Sequence, residues 1–179
     1  MTNTDRTPRE LAPAGCASAG TGYLMPEVAL RTAAGERVTL GEHGARCNLV
    51  VVLRGDGGPD DATPALLAEL AASRARLEAE EARVIVIDAD AGAGAPGDVT
   101  PPPSPAWLLF GTDASLHARL DAMSADGRPT GALLVTDRFR EIYAAFREGE
   151  PGWPPTVDEV LRWLLFIDIQ CPECGAPEW

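Results

Sequence analysis

Two apolar runs with an amphipathic stretch between them constrain this chain more than any other feature. Residues 48–53 (NLVVVL) and 83–88 (RVIVID) are short and rich in β-branched side chains. A strand open to water on one face would alternate, so both runs read as strands covered on both faces, with 48–53 central. Between them Thr63 offers an N-cap oxygen, and Pro64 takes the first helical position, where a missing N–H costs nothing. Leu66, Leu67, Leu70, Ala71 and Leu77 then form an apolar stripe, with Arg74, Arg76, Glu78 and Glu80 on the wet side, which predicts a helix over 64–81. A strand, a helix and a strand in this order make a parallel pair joined by a right-handed crossover. The class is α/β.

The flanking segments extend that unit. Residues 28–30 and 37–40 are two short extended runs around a turn, a small N-terminal hairpin. Residues 89–105 are dominated by Pro and Gly and read as a long loop. Residues 107–110 form a short apolar run, after which Thr112 or Asp113 caps a helix carrying Leu116, Leu120 and Met123. Residues 131–136 and 141–146 are strands joined by Asp137-Arg138-Phe139-Arg140, close enough for an antiparallel hairpin. Thr156 and Glu159 make a capping box for a last helix carrying Val157, Val160, Leu161 and Leu164, which ends before Cys171. Trp107, Trp153 and Trp163 are core candidates. The expectation is a mostly four-stranded mixed central sheet with flanking helices over 23–170, preceded by an arm at 1–22 and followed by a tail at 171–179.

Charge excludes whole classes of partner. The 179 residues carry 15 basic groups, all Arg, against 27 acidic ones, a net charge of −12. Nucleic acid and anionic membrane both demand basic clusters and are excluded as partners. No apolar run approaches the ~18 residues of a membrane span. The segment Leu11-Ala12-Pro13-Ala14-Gly15-Cys16 is lipoprotein-like, but Asp5, Arg6, Arg9 and Glu10 stand where a signal peptide needs an apolar core of ~7 to 15 residues. Four Cys are too few for a disulfide-built scaffold, so a cytoplasmic location with mostly free thiols is expected.

At the residue level the chain resembles the redoxin group, the alkyl hydroperoxide reductase and thiol-specific antioxidant (peroxiredoxin-like) proteins. Met25-Pro-Glu-Val-Ala-Leu30 is similar to that group's entry segment, and Gly35-Glu-Arg-Val-Thr-Leu40 to its second motif. Residues 48–55 are similar to its first core strand and 132–143 (ALLVTDRFREIY) to its late hairpin. The resemblance spans about residues 24–170 and implies a thioredoxin-like fold with an added N-terminal hairpin. In that group a peroxidatic Cys follows the first core strand at the start of the next helix, where the helix dipole lowers the thiol pKa. Here Asp56-Gly-Gly-Pro-Asp-Asp-Ala-Thr63 stands at that place, with Thr63 as a remnant that has no thiolate-like state. The group's supporting Arg has Gly131-Ala132 nearest to its position, with Arg128 a few residues early.

One specific chemical signal remains, Cys171-Pro172-Glu173-Cys174-Gly175. As a redox pair, Cys171 and Cys174 close a small ring and exchange with the dithiol of a protein partner. As a metal site, the same pair is one zinc knuckle supplying two of four ligands, completed by His43 with Cys47 or by a second chain of a homodimer. A third reading gives the pair no chemical role. Cys47 reads as a small apolar thiol at a strand edge, Cys16 has no assigned role, and His43 and His117 read as surface or capping residues. The expected function is thiol–disulfide oxidoreductase chemistry at Cys171 and Cys174 with a degenerate peroxidatic site. The alternative is a non-catalytic binding module whose tail holds zinc or a partner.

Overall fold

The computed structural model describes residues 22–32, 37–40, 47–56, 61–89, 107–111 and 115–169. In chain order the elements are β1 (Ala29–Thr32), β2 (Arg37–Thr39), β3 (Asn48–Arg54), α1 (Thr63–Ala72), α2 (Arg74–Ala79), β4 (Ala82–Asp88), β5 (Trp107–Gly111), α3 (Ser115–Arg119), β6 (Ala132–Thr136), β7 (Ile142–Arg147) and α4 (Val157–Asp168). Among the described residues the strands form one mixed sheet ordered β2-β1-β5-β4-β3-β6-β7. The sheet is wider than the expected four strands because the N-terminal hairpin joins it: β1 pairs antiparallel with β5, so the hairpin extends the edge. β3 pairs parallel with β4, from Asn48 opposite Ala82 to Arg54 opposite Asp88, and antiparallel with β6 on its other side. The expected hairpin around residues 137–140 is the β6–β7 pair. There Asp137 Oδ1 accepts the N–H groups of Phe139 and Glu141, both at 2.8 Å, which closes the turn.

The unbroken apolar character of β3 follows from its two partners. Val50 and Val52 pack on one face with Leu66, Leu70, Val160, Trp163 and Leu164 from the helices. Leu49, Val51 and Leu53 pack on the other with Met25, Leu30, Leu40 and Leu116. Alternate residues of a strand point to opposite faces, so a strand buried twice must be apolar at every position. Trp163 is buried and meets Phe166 edge-to-face at 5.6 Å, while Trp153 is half-buried against the same cluster. The side chain of Trp107 lies outside the described residues.

Three local expectations are corrected. The single helix over 64–81 is two helices, α1 and α2, separated at Ser73. There the Ser73 N–H is shared between the carbonyls of Glu69 (3.0 Å) and Leu70 (3.1 Å), and the chain restarts with a tight turn from Arg76 N to Ser73 O at 3.0 Å. Thr63 is not the N-cap. Ala62 holds that position, and the Asp61 carboxylate accepts the Thr63 N–H at 2.8 Å, so the acid two residues upstream does the capping. The third helix is one turn, Ser115–Arg119, and Leu120 and Met123 lie beyond it because Asp121 takes a left-handed backbone with φ 55°. The capping box of α4 is present, with Glu159 N donating to Thr156 Oγ1 at 3.3 Å and Thr156 N to Glu159 Oε2 at 2.8 Å. Among the described residues no helix is long and apolar enough to cross a membrane.

Candidate functional site

The parallel strands end at a corner built by four segments of the chain. Arg54, last in β3, pairs with Asp88, its register partner at the end of β4, at 3.1 Å. Gly55 follows, and a Cβ there would meet Gly131 N at 3.0 Å and Thr130 Cα at 3.1 Å, so any side chain would require the backbone at 130–131 to give by a few tenths of an ångström. Thr63 opens α1 from below and is fully buried, its Oγ1 without a hydrogen-bond partner from the protein. Gly131 leads into β6 and faces Thr63. A Cβ at Gly131 would sit 3.0 Å from Thr63 Oγ1, 2.8 Å from Trp153 Cζ2 and 3.3 Å from Glu148 Oε2. Glu148, just past the end of β7, holds Gly131 in place, accepting Gly131 N–H at 2.7 Å through its carboxylate and donating its own N–H to Gly131 O at 2.8 Å.

Sequence reasoning placed Thr63 and Gly131 separately, as the residues nearest to the positions of a nucleophile and a supporting arginine. The fold brings them together at the first turn of α1. Neither carries the chemistry of those positions: a buried Thr hydroxyl stays protonated at neutral pH, and glycine offers no cation. Arg128, the other arginine near this position, is exposed, and its guanidinium pairs with Asp126 at 2.7 Å and Asp56 at 3.3 Å. The indole of Trp153 closes the contact on the remaining side.

His117 corrects its surface reading. It is fully buried, and its Nε2 lies 2.8 Å from Arg54 O. A carbonyl only accepts, so Nε2 carries the proton and donates, leaving Nδ1 bare, buried and without a hydrogen-bond partner. Burial pulls the His117 pKa below its ordinary value, with the Arg54 carbonyl and Asp88 pulling the other way. The ring supports the end of β3 from beneath. Leu116 and Leu120 flanking it were the sequence signal that this one-turn helix faces the core.

The opposite end of β3 holds the thiol. Cys47 immediately precedes Asn48, is half-buried and packs with Val28 against the Leu49–Val51–Leu53 face. Burial raises its pKa first, Arg83 lowers it and Glu81 raises it. Asn48, on the other face, donates its side-chain amide to Asp168 Oδ1 at 2.9 Å, tying the last turn of α4 to the start of β3. Cys16, His43, Cys171 and Cys174 lie outside the described residues. Among the described residues no group of three or more His, Cys, Asp or Glu is placed to hold a metal ion.

The whole arrangement has counterparts among solved structures. Mycobacterium tuberculosis AhpC matches with a TM-score of 0.62 at 17% identity, over 87% of this chain and 98% of that one. The reduced 2-Cys peroxiredoxin of Plasmodium vivax matches at TM-score 0.64 and 12% identity, over 83% and 82%. The fold is that of the peroxiredoxins. Peroxidoxin BcpB of Mycobacterium tuberculosis shares it at TM-score 0.62 and 13% identity, over 85% of this chain and 99% of that one. No protein-family model and no curated sequence relative matches the chain. At these identities the likeness defines a peroxiredoxin-type thioredoxin fold, and the chemistry must be argued from the residues.

Proposed function

We propose that the protein is a redoxin-like thiol–disulfide oxidoreductase with a degenerate peroxidatic site, working through Cys171 and Cys174. The observation that carries this reading is the Thr63–Gly131 contact. The two positions that would hold nucleophile and arginine in a peroxidase of this fold lie side by side, so close that a Cβ on Gly131 would stand 3.0 Å from Thr63 Oγ1, and they hold a buried hydroxyl and a bare backbone. No cysteine stands between Cys47 and Cys171, so covalent peroxide chemistry has no sulfur at this corner.

The step assigned to the tail balances as an exchange. The Cys171 thiolate attacks a disulfide of a protein partner, forming a mixed disulfide and releasing one partner thiolate. Cys174 then attacks Cys171 Sγ, which breaks the mixed disulfide, releases the second partner thiol and leaves Cys171 joined to Cys174. Two electrons pass from the tail to the partner. A cytoplasmic setting, where thiols are kept reduced, and a homodimeric assembly belong to the same reading.

The test uses the full chain. Reduced protein is mixed with a disulfide-bonded protein substrate or with hydrogen peroxide, and thiol loss is mapped by residue. The reading expects substrate reduction that Cys171→Ser and Cys174→Ser each remove, and peroxide consumption no faster than that of an unactivated thiol. Rapid peroxide turnover, or substrate reduction that survives both substitutions, overturns it.

A further inference from the structure

We propose that α3 and the turn after it, residues 115–122, form an acid-operated latch: protonation of His117 releases them from the end of β3 and uncovers the apolar side chains beneath. The inference stands on the described domain and is independent of the chemistry of the tail.

One side chain carries the latch. His117 is fully buried and its Nε2–H donates to Arg54 O at 2.8 Å, so a second proton must go to Nδ1. Nδ1 is buried and, among the described residues, has no hydrogen-bond partner. The charges around the ring offer little relief. Asp88, from β4, is the anion on this side, and it is already paired with Arg54 of β3 at 3.1 Å. Asp56, just past β3, pairs with Arg128. Arg119 and Asp121, on the latch itself, are exposed to water. Arg147, from β7, brings a buried cation to the same segment, its Nε donating to Leu120 O at 3.0 Å. An imidazolium here is a buried charge with an unsatisfied donor, which the closed form disfavours and an exposed ring does not. In keeping with this, burial holds the His117 pKa below its ordinary value against the pull of the Arg54 carbonyl and Asp88.

The rest of the segment is built to come away with the ring. α3 is one turn, Ser115–Arg119, too short to persist without packing. His117 is the joint on both sides: its ring holds Arg54 O, and its own carbonyl accepts the N–H groups of Leu120 at 3.2 Å and Ala122 at 2.8 Å. Between these two, Asp121 turns the chain with φ 55°. Leu116, Leu120 and Ala122 are buried in the same cluster as Leu49, Val51 and Leu53, and they are the surface that opening exposes. The step takes one proton from solvent to Nδ1 and breaks the bond from Nε2–H to Arg54 O.

The experiment follows amide hydrogen exchange of the full chain between pH 7.5 and 5.5, with each amide's rate divided by its rate in an unstructured chain at the same pH. A ring that stays neutral when closed and titrates at about 6.5 when open makes opening up to ~10-fold more frequent over this range, so a loss of protection of roughly 3- to 10-fold at Leu120 and Ala122 is expected. The amides of residues 50–53 in β3 should keep their protection, and in His117→Gln the loss at Leu120 and Ala122 should vanish. Protection at those two amides that does not change with pH in the parent overturns the proposal. So does a loss shared equally by β3, which is global unfolding, or a loss that persists in His117→Gln. Should that variant fail to fold, nitrogen NMR of the histidine rings in the parent decides. The His117 ring must become doubly protonated in step with the loss of protection, and an imidazolium at His117 while Leu120 and Ala122 stay protected contradicts the latch.

Discussion

The two ends of β3 invert each other. At its C-terminal end the fold has built a tight corner, with Gly55, Thr63, Glu148 and Trp153 gathered around Gly131 and His117 bonded to the carbonyl of Arg54, yet none of these groups is a thiol. At its N-terminal end stands Cys47, and beside it Asn48 is tied by one side-chain hydrogen bond to Asp168 at the end of α4, the helix that precedes Cys171 and Cys174 in sequence. Architecture and reactivity have separated. Trp153 and Gly131 stand at that corner, and on the proposed reading the exchange belongs to Cys171 and Cys174 instead. A fold thus fixes where a site can be built without fixing what is built there.

Substitutions that break this contrast should differ most in activity. Cys171→Ser is expected to lower disulfide reduction by at least ~100-fold, because a mixed disulfide formed on Cys174 alone has no neighbouring tail sulfur to resolve it, while leaving the melting temperature unchanged. Steady-state assay beside thermal unfolding checks both halves. Gly131→Ala should do the reverse. Its Cβ meets the indole of Trp153 at 2.8 Å, inside any real contact, so overpacking should cost about 1–3 kcal/mol in chemical denaturation and leave exchange intact. A Gly131→Ala chain as stable as the parent would mean that the corner is loosely packed.

These contrasts also mark what the sequence disclosed. Unbroken apolar runs announced β3 and β4 and their parallel pairing, and the Thr156–Glu159 spacing announced α4, because burial and capping are written in adjacent residues. The seven-stranded width was not legible, since it depends on β1 meeting β5 across some eighty residues. Thr63 and Gly131 were each noticed, but their closeness depends on β6 running antiparallel to β3, which no local pattern states. His117 misled for a related reason: a His with no partner in the adjacent sequence looks wet until the fold brings the carbonyl of Arg54 within 2.8 Å of it.

His117 gives a smaller, pH-dependent effect at the built end. Its pKa is lowered in the folded chain, so the unfolded chain binds the extra proton first. Stability from this group is complete above its ordinary value of about 6.5 and is lost as pH falls below it towards the folded value. His117→Gln keeps a donor for Arg54 O without the titration, and denaturation midpoints between pH 7.5 and 5 should fall less steeply than in the parent. Equal slopes would mean that the ring is not held neutral.

The smallest expected effect lies at the other end. Asn48→Ala removes the bond to Asp168 and should cost about 0.5–1.5 kcal/mol in chemical denaturation, the ordinary net worth of one hydrogen bond. An Asn48→Ala chain as stable as the parent would remove that bond from the account of how α4 is tied to β3.

The central claim, that sulfur chemistry belongs to the tail end and not to the corner at Thr63, is tested most directly by alkylation mass spectrometry of the full chain. The protein is equilibrated in glutathione buffers of graded potential, with and without chelator. The account predicts that Cys171 and Cys174 lose alkylation together along a two-electron curve, unaffected by chelator and reversed on reduction. Full alkylation of both at every potential, or protection that follows chelator and not potential, would contradict it.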